Sequence, residues 1–230
     1  MDLAGQPWAS GLDTEETLPS GLRDPFLKLA AMKRKLRGQS IVAQGSNSDE
    51  VYLILNGLVE ISLLSPSGRK TVLRNMGPGR LIGELSALLR EPRSADAEAV
   101  EDVDLAYISG EAFRSFLSEE PGAGFWIAQQ LASRVKNLTA KAVELATMPL
   151  GHRVQSELLR LAVQAGIEDS GEIPILPTHA DLAWRIGGHR EAVTRELGLL
   201  AREGIVRQSG RKLAILSMSR LIAVAARTAR

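Results

Sequence analysis

Cysteine is absent from the 230 residues of this chain. Its absence excludes disulfide bonds, thiolate zinc sites and iron–sulfur clusters held by cysteine. Histidine is scarce as well, and the three histidines, His152, His179 and His189, all lie beyond residue 150. Residues 1–150 therefore offer no histidine ligand to a metal or a haem.

Long apolar runs are also absent. The segment from Val51 to Leu55 is among the longest, and a membrane-spanning helix needs about 20 such residues. No apolar stretch follows a basic start, so we expect a cytoplasmic protein rather than a secreted one. Apolar residues make up 44% and charged residues 24% of the chain. These fractions are those of an ordinary globular protein, which excludes wholesale disorder.

Charge is distributed unevenly although the net charge is only +1. Residues 1–149 carry 16 basic and 19 acidic side chains, whereas residues 150–230 carry 12 basic and 8 acidic ones. A basic C-terminal third on an acidic body favours a module that faces nucleic acid. Ordinary variation of surface charge is the alternative explanation.

The first half of the chain has the pattern of a β-domain after a short tail. Residues 1–20 lack apolar periodicity and are predicted to be a mobile tail, and a short helix is predicted over 25–32. From Ser40 to Ile108 short apolar runs alternate with turns, including Asn56-Gly57, which is a strong hairpin signal. We therefore predict a β-barrel or jelly-roll domain over residues 21–120.

Helical periodicity follows. Ser109 is placed to cap a short helix that carries Phe113 and Phe116. A long helix is predicted from about Gly124 to Thr147, within a segment placed at 121–148. Its apolar residues repeat every three and four positions, at Ala128, Leu131, Val135, Leu138, Ala142 and Leu145. This heptad seam favours a dimerisation helix, and packing on its own β-domain is the alternative.

Residues 149–230 have the pattern of a winged helix-turn-helix. After a helix that ends at Gly166 and a loop over 167–177, Thr178 is placed to cap a second helix. Gly187-Gly188 makes a tight turn, and His189 can cap a third helix that runs to about Arg202. A β-hairpin wing over 205–216 completes the pattern. The fold class is therefore α+β, with a β-domain, a long helix and this module.

The third helix carries a polar face opposite Val193 and Leu197. In a recognition helix, arginine binds guanine and glutamate accepts from cytosine. The predicted DNA contacts are Thr178, His189, Arg190, Glu191, Thr194, Arg195 and, in the wing, Lys212. A solvated charged face is the alternative, and Glu196 stands where such motifs usually have an apolar residue.

A second motif lies in the β-domain, where Gly83-Glu84-Leu85 is followed by Arg93-Ser94-Ala95. Such a set can bind a phosphorylated sugar, because the carboxylate accepts from a ribose hydroxyl and the arginine holds the phosphate. Glutamate and arginine at this spacing also form ordinary surface ion pairs. The position of the motif in the β-domain, before a dimer-type helix, favours the binding site.

These motifs, taken together, resemble the CRP/FNR family of bacterial transcription regulators over nearly all of the chain after residue 24. The resemblance implies that Glu84 binds the ribose and Arg93 the cyclic phosphate, with Gly83, Leu85 and Ser94 beside them. It also implies that the base is surrounded by Ile61, Leu73, Met76, Leu138 and Thr139. The cAMP receptors of the family have adjacent threonine and serine where this chain has Leu138 and Thr139.

The resemblance implies a cyclic-nucleotide effector, cAMP first and cGMP as the alternative. It further implies a homodimer on palindromic double-stranded DNA with TGTGA-like half-sites, and RNA polymerase as a partner, with no membrane. Some relatives sense oxygen through clusters held by cysteine, and others sense carbon monoxide through haem. This chain has neither the cysteines nor a histidine in the β-domain that such sensors use. A ligand-independent regulator with a vestigial pocket is the second hypothesis. An enzyme is not expected, since no nucleophile–base or metal constellation is present.

Overall fold

The structure is a computed structural model that describes residues 17–64 and 70–226. The described chain divides into two compact units, and the division lies between Ser133 and Arg134, inside one helix. Among the described residues, those up to Ser133 form the N-terminal unit and those from Arg134 onward form the C-terminal unit.

The N-terminal unit is built on two antiparallel four-stranded sheets. The first has the order β1-β8-β3-β6 and the second the order β2-β7-β4-β5. The strands are β1 (Ala31–Lys35), β2 (Ser40–Val42), β3 (Val51–Asn56), β4 (Val59–Leu64), β5 (Lys70–Met76), β6 (Leu81–Ile82), β7 (Asp96–Ala99) and β8 (Val103–Ile108). Eight strands in two sheets are the composition of a jelly roll, so the predicted β-domain is confirmed.

Strand β3 is buried on both faces, which explains its continuous apolar sequence. Tyr52 and Ile54 belong to the core between the two sheets, together with side chains from both. Val51 and Leu53 point the other way, into a second core that the helices cover. Alternation along a strand sends successive side chains to opposite faces, so every residue from Val51 to Ile54 is buried.

Four helices accompany these sheets: α1 (Ser20–Leu29), α2 (Glu84–Leu89), α3 (Gly110–Glu119) and α4 (Ala123–Thr147). The Ser109 side chain accepts from the Ala112 N–H at 3.1 Å, so the predicted cap of α3 is confirmed. Phe26 of α1 packs edge-to-face on Phe116 of α3 with ring centroids 5.7 Å apart. The long helix begins one residue before the predicted start and ends at the predicted residue.

The N-terminal boundary differs from the prediction. Helix α1 begins at Ser20 rather than at Pro25, because Leu22 and Phe26, four residues apart, both bury on the core. Met32, predicted to be helical, lies in β1 and pairs with Ala106. Leu18 is buried and donates its N–H to the Gly79 carbonyl at 2.7 Å, so the predicted tail does not reach residue 20. Residues 1–16 of that tail lie outside the described residues.

The C-terminal unit contains the last turns of α4 and a compact set of helices and strands. The helices are α5 (Leu150–Gln164), α6 (His179–Arg185), α7 (Arg190–Arg202) and α8 (Met218–Ala226), and the strands are β9 (Gly171–Ile173), β10 (Val206–Ser209) and β11 (Lys212–Ile215). The predicted loop over 167–177 is partly wrong, because β9 forms inside it and pairs with β11. The hairpin wing is thus one side of a three-stranded sheet.

Candidate functional site

Arg93 is the centre of the polar site in the N-terminal unit. Its side chain is 2% exposed and its guanidinium is held by three neighbouring segments. Nε donates to the Ser48 hydroxyl at 2.9 Å and Nη1 to the Gly83 carbonyl at 3.1 Å. Nη2 donates to the Glu50 carbonyl at 2.7 Å and lies 3.4 Å from the Glu50 carboxylate. The structure therefore brings Gly83 and Arg93 together.

Gly83 is required by its geometry. It precedes α2 with a φ of +90°, which favours glycine. A Cβ atom at this position would overlap the Arg93 guanidinium and lie 2.8 Å from the Glu50 carbonyl oxygen. The glycine therefore lets the arginine lie directly against the backbone that begins α2.

The Arg93 guanidinium is a buried cation with acidic groups around it. Burial lowers the pKa of Arg93 from its ordinary value, while Tyr52, Glu50, Asp49 and Glu84 oppose that change in this order. Burial, assisted by Glu50, raises the pKa of the Tyr52 hydroxyl. An arginine remains protonated in such surroundings, so the site holds a permanent positive charge.

The other predicted ligand residues are distributed as follows. Glu84 is buried at the first turn of α2, Leu85 beside it is half-buried, and Ser94 is exposed. Ile61 and Met76 lie in the core between the sheets, and Leu73 packs against that core. Leu138 and Thr139 lie in the C-terminal unit, where both are exposed.

Sequence reasoning missed Ser48 and Glu50, the partners of Arg93. Both precede the arginine by more than 40 residues. They reach it because the loop before β3 lies beside the loop after α2, as the backbone hydrogen bond from the Arg93 N–H to the Ser46 carbonyl shows. Spacing along the sequence contains no signal for such a contact.

The seam predicted on α4 is divided between two environments. In the first turns Ala128 of the seam is exposed, while Leu131 packs against the core of the N-terminal unit that contains Trp126 and Ile127, two residues outside the seam. Farther along, Val135 is 63% exposed and Leu138 is 71% exposed. The part of the seam from Val135 onward is thus an apolar surface of this chain.

The helix-turn-helix has the predicted construction. The Thr178 hydroxyl accepts from the Asp181 N–H at 3.2 Å at the start of α6. Gly187 has a φ of +58° in the turn, and a Cβ on Gly188 would lie 2.6 Å from a methyl of Leu150. Val193, Leu197 and Leu200 of α7 are buried in the core of the unit. His189 occupies the N-cap position of α7, as predicted, but its side chain makes no capping hydrogen bond.

The predicted DNA face is exposed along the start of α7. Exposed residues include all the predicted contacts: Thr178, His189, Arg190, Glu191, Thr194, Arg195 and, in the wing, Lys212. Lys212 forms an exposed ion pair with Glu172 of β9 at 2.9 Å. His179, which sequence reasoning missed, lies on the same face, with Nδ1 2.8 Å from the Thr194 hydroxyl.

Glu196 has a polar partner in the place where an apolar residue was expected. Its carboxylate accepts from the Gln155 side chain of α5 at 2.6 Å. A Cβ on Gly151 would lie 2.8 Å from its other oxygen, so the glycine makes room for the carboxylate. A polar contact thus replaces an apolar one between α5 and α7.

A buried ion network joins three helices of the C-terminal unit. Arg160 of α5 contacts Glu144 of α4, and it pairs with Glu157 at 2.8 Å. Arg185 of α6 pairs with Glu157 at 3.3 Å, and Lys141 of α4 with Glu144 at 3.0 Å. These ion pairs therefore connect the end of α4 to α5, and α5 to α6, the helix that opens the helix-turn-helix.

In the part of the chain that the structure describes, no helix is long and apolar enough to cross a membrane. No group of three or more histidine, aspartate or glutamate side chains there could hold a metal ion.

Comparison with known proteins matches both units. Residues 32–120 match the model of the cyclic nucleotide-binding domain, and residues 152–224 match the model of the Crp-like helix-turn-helix domain. A CRP-like cAMP-activated global transcriptional regulator of Mycobacterium tuberculosis is 30% identical over 201 residues, which cover 84% of this chain and 90% of that protein. The cyclic AMP receptor protein of Thermus thermophilus is 32% identical over 207 residues, covering 89% and 90%.

A solved structure shows the same fold. The global regulator CLP of Xanthomonas campestris superposes with a TM-score of 0.70 at 22% identity and covers 86% of this chain and 99% of that one. At this identity the likeness supports the architecture alone.

Proposed function

Since this chain belongs to the CRP family of transcription regulators, we propose that it is a homodimeric DNA-binding regulator gated by a cyclic nucleotide. The observation that carries the proposal is the buried Arg93 guanidinium, held against Gly83 at the start of α2. A permanent cation beside backbone that only glycine permits is suited to an anion such as a cyclic phosphate. The exposed polar residues at the start of α7 support the proposed DNA contacts.

In this proposal the nucleotide is held at two ends. Arg93 and the backbone of Gly83 and Leu85 bind the cyclic phosphate with Ser94, and Glu84 accepts from the ribose. Ile61, Leu73 and Met76 surround the base, and the family resemblance adds Leu138 and Thr139. The two relatives named for cAMP support cAMP as the effector, and cGMP is the alternative, because Leu138 offers no hydroxyl to the base.

A second candidate function has an observation of its own. Four hydrogen bonds of Arg93 already go to protein acceptors, which is what a vestigial pocket in a ligand-independent regulator of the same fold would show. The two functions differ in whether a nucleotide binds at all.

The dimer is supported by the apolar surface of α4. Exposed valine and leucine at heptad spacing, with Ala142 between them, form the seam that a second copy of the same helix would cover. A two-fold dimer presents two recognition helices about one DNA turn apart, so a palindrome with TGTGA-like half-sites is the expected target. Such a regulator acts in the cytoplasm, with RNA polymerase as its partner.

Calorimetric titration of the full chain with cAMP and cGMP tests the effector. The parent is expected to bind one of the two nucleotides. Arg93→Ala is expected to bind that nucleotide at least tenfold more weakly, because hydrogen bonds to charged groups contribute about 1.5–3 kcal/mol each. Arg93→Lys keeps the charge but not the fork of donors, and it is expected to lie between the two. A parent that binds neither nucleotide favours the ligand-independent regulator.

A further inference from the structure

The arginine of the candidate nucleotide site has few donors left for a ligand. A guanidinium carries five N–H groups. Ser48, the Gly83 carbonyl and the Glu50 carbonyl each accept one, at 2.9, 3.1 and 2.7 Å, and the Glu50 carboxylate faces a fourth at 3.4 Å. Among the described residues, a single N–H on Nη1 remains.

The four contacts differ in strength. Those to Ser48 and to the two carbonyls have ordinary hydrogen-bond lengths, whereas 3.4 Å to the carboxylate is long. The Glu50 side chain also reaches solvent, since it is 37% exposed whereas that of Arg93 is 2% exposed. The carboxylate can therefore rotate toward water while the other three contacts keep the guanidinium in place.

Charge reinforces this asymmetry. Three carboxylates, those of Glu50, Asp49 and Glu84, act on Arg93, and Glu50 acts most strongly of the three. One cation among three acids leaves an arriving phosphate in an unfavourable field. Departure of Glu50 frees a donor and removes the nearest like charge at the same time.

We infer that the Glu50 carboxylate is an internal anion that a ligand phosphate must displace from Arg93, so that Glu50 sets the nucleotide affinity of the site. The inference rests on the proposed function, because it deepens the same site. It assigns two roles to Glu50: the backbone carbonyl positions Arg93, and the carboxylate competes with the ligand. In the free protein the Glu50 carboxylate is the anion that faces Arg93. When the ligand binds, its phosphate replaces this carboxylate.

Glu50→Gln separates the two roles, because it keeps the backbone carbonyl and the shape of the side chain and removes the charge. The full-length parent and this variant are titrated with cAMP and with cGMP. Removing one like charge at this range is worth roughly a tenfold change in an equilibrium constant, so Glu50→Gln is expected to bind about tenfold more tightly. Circular dichroism verifies that the variant is folded.

Glu91→Gln is the matched control. Glu91 lies in the loop between α2 and Arg93, is exposed, and is not among the groups that act on Arg93. The same charge change there is expected to alter affinity less than twofold. The gain from Glu50→Gln is also expected to vanish in an Arg93→Ala background, since the carboxylate acts through the guanidinium.

The titrations of the parent and of Glu50→Gln have three outcomes that test the inference. Tighter binding by Glu50→Gln than by the parent, in a manner that depends on Arg93, supports the inference. A parent that binds while Glu50→Gln binds equally or more weakly overturns the inference and leaves the proposed function standing. Failure of both proteins to bind either nucleotide overturns the inference together with the nucleotide gating.

Discussion

The Glu144 carboxylate of α4 and the Arg160 guanidinium of α5 form an ion pair in which both side chains are at most 5% exposed. The pair places a charge from the long helix inside the C-terminal unit. Because each ion has lost its water, removing either one takes a charge partner from the other inside the protein, where only Glu157 then remains for Arg160 and only Lys141 for Glu144 among the ion pairs described.

Glu144→Gln is therefore expected to destabilise the fold by about 3–5 kcal/mol, the usual cost of breaking a buried pair. Urea unfolding measures the change. Glu172→Gln is the matched control, because Glu172 pairs with Lys212 in an exposed contact of the same unit. An exposed pair is worth about 0–1 kcal/mol, so equal losses in the two variants would contradict the importance of burial.

The stability of the network depends on pH through Glu157. Burial by itself raises the pKa of this carboxyl, but the charges of Arg160, Lys141 and Arg185 outweigh it and hold the pKa below the ordinary 4.5. A carboxyl with a depressed pKa stabilises the fold at pH values above the pKa that it has in the unfolded chain. This contribution is lost as the pH falls through the pKa that it has in the folded protein.

The free energy of unfolding is therefore expected to fall as the pH drops below about 5. Glu157→Gln cannot titrate, so it is expected to be less stable at pH 7 and to show a shallower slope below pH 5. Parallel slopes in parent and variant would show that other carboxyls cause the loss.

The seam on α4 is testable by charge. Val135→Glu combined with Ala142→Glu places like charges across the proposed two-fold axis and is expected to give monomers in light scattering. Val143→Glu is the matched control, because Val143 is 56% exposed on the same helix but outside the heptad seam. A monomeric parent, or an unchanged mass for the double variant, would contradict the dimer.

DNA specificity is assigned to particular side chains of α7. Arg190→Ala is expected to relax preference at one symmetric position of the site, since a bidentate arginine–guanine pair discriminates by about 1–3 kcal/mol. Lys212→Ala is expected to weaken all sequences alike and to lower the salt slope by about 1. Random-site selection that returns an asymmetric site, or a palindrome without TGTGA-like arms, would refute the assignment.

Local patterns predicted the helical half of the fold well. Ser109 and Thr178 cap the helices that they were expected to cap, and α4 ends at Thr147 as its apolar spacing indicated. Gly166 follows α5 with a φ of +72°, in the position that ends a helix. These signals lie within a few residues of the structure that they specify.

Contacts between distant segments could not be predicted in the same way. Strand β9 forms only because β11 lies beside it, 40 residues later. Glu157 and Arg160 lie on a helix whose apolar face was evident, yet both are buried by partners on α4 and α6. The partners of Arg93 were missed for the same reason, since tertiary packing decides them.

Nucleotide gating is tested by the affinity of the full chain for a selected palindrome, measured with and without saturating cAMP or cGMP. Coupling between two sites is typically worth about 1–3 kcal/mol. The effective nucleotide is therefore expected to tighten specific DNA binding by roughly 5–150-fold, and Arg93→Ala is expected to abolish the gain at the same nucleotide concentration. Equal affinity for the palindrome with and without nucleotide would contradict nucleotide gating and establish the ligand-independent regulator.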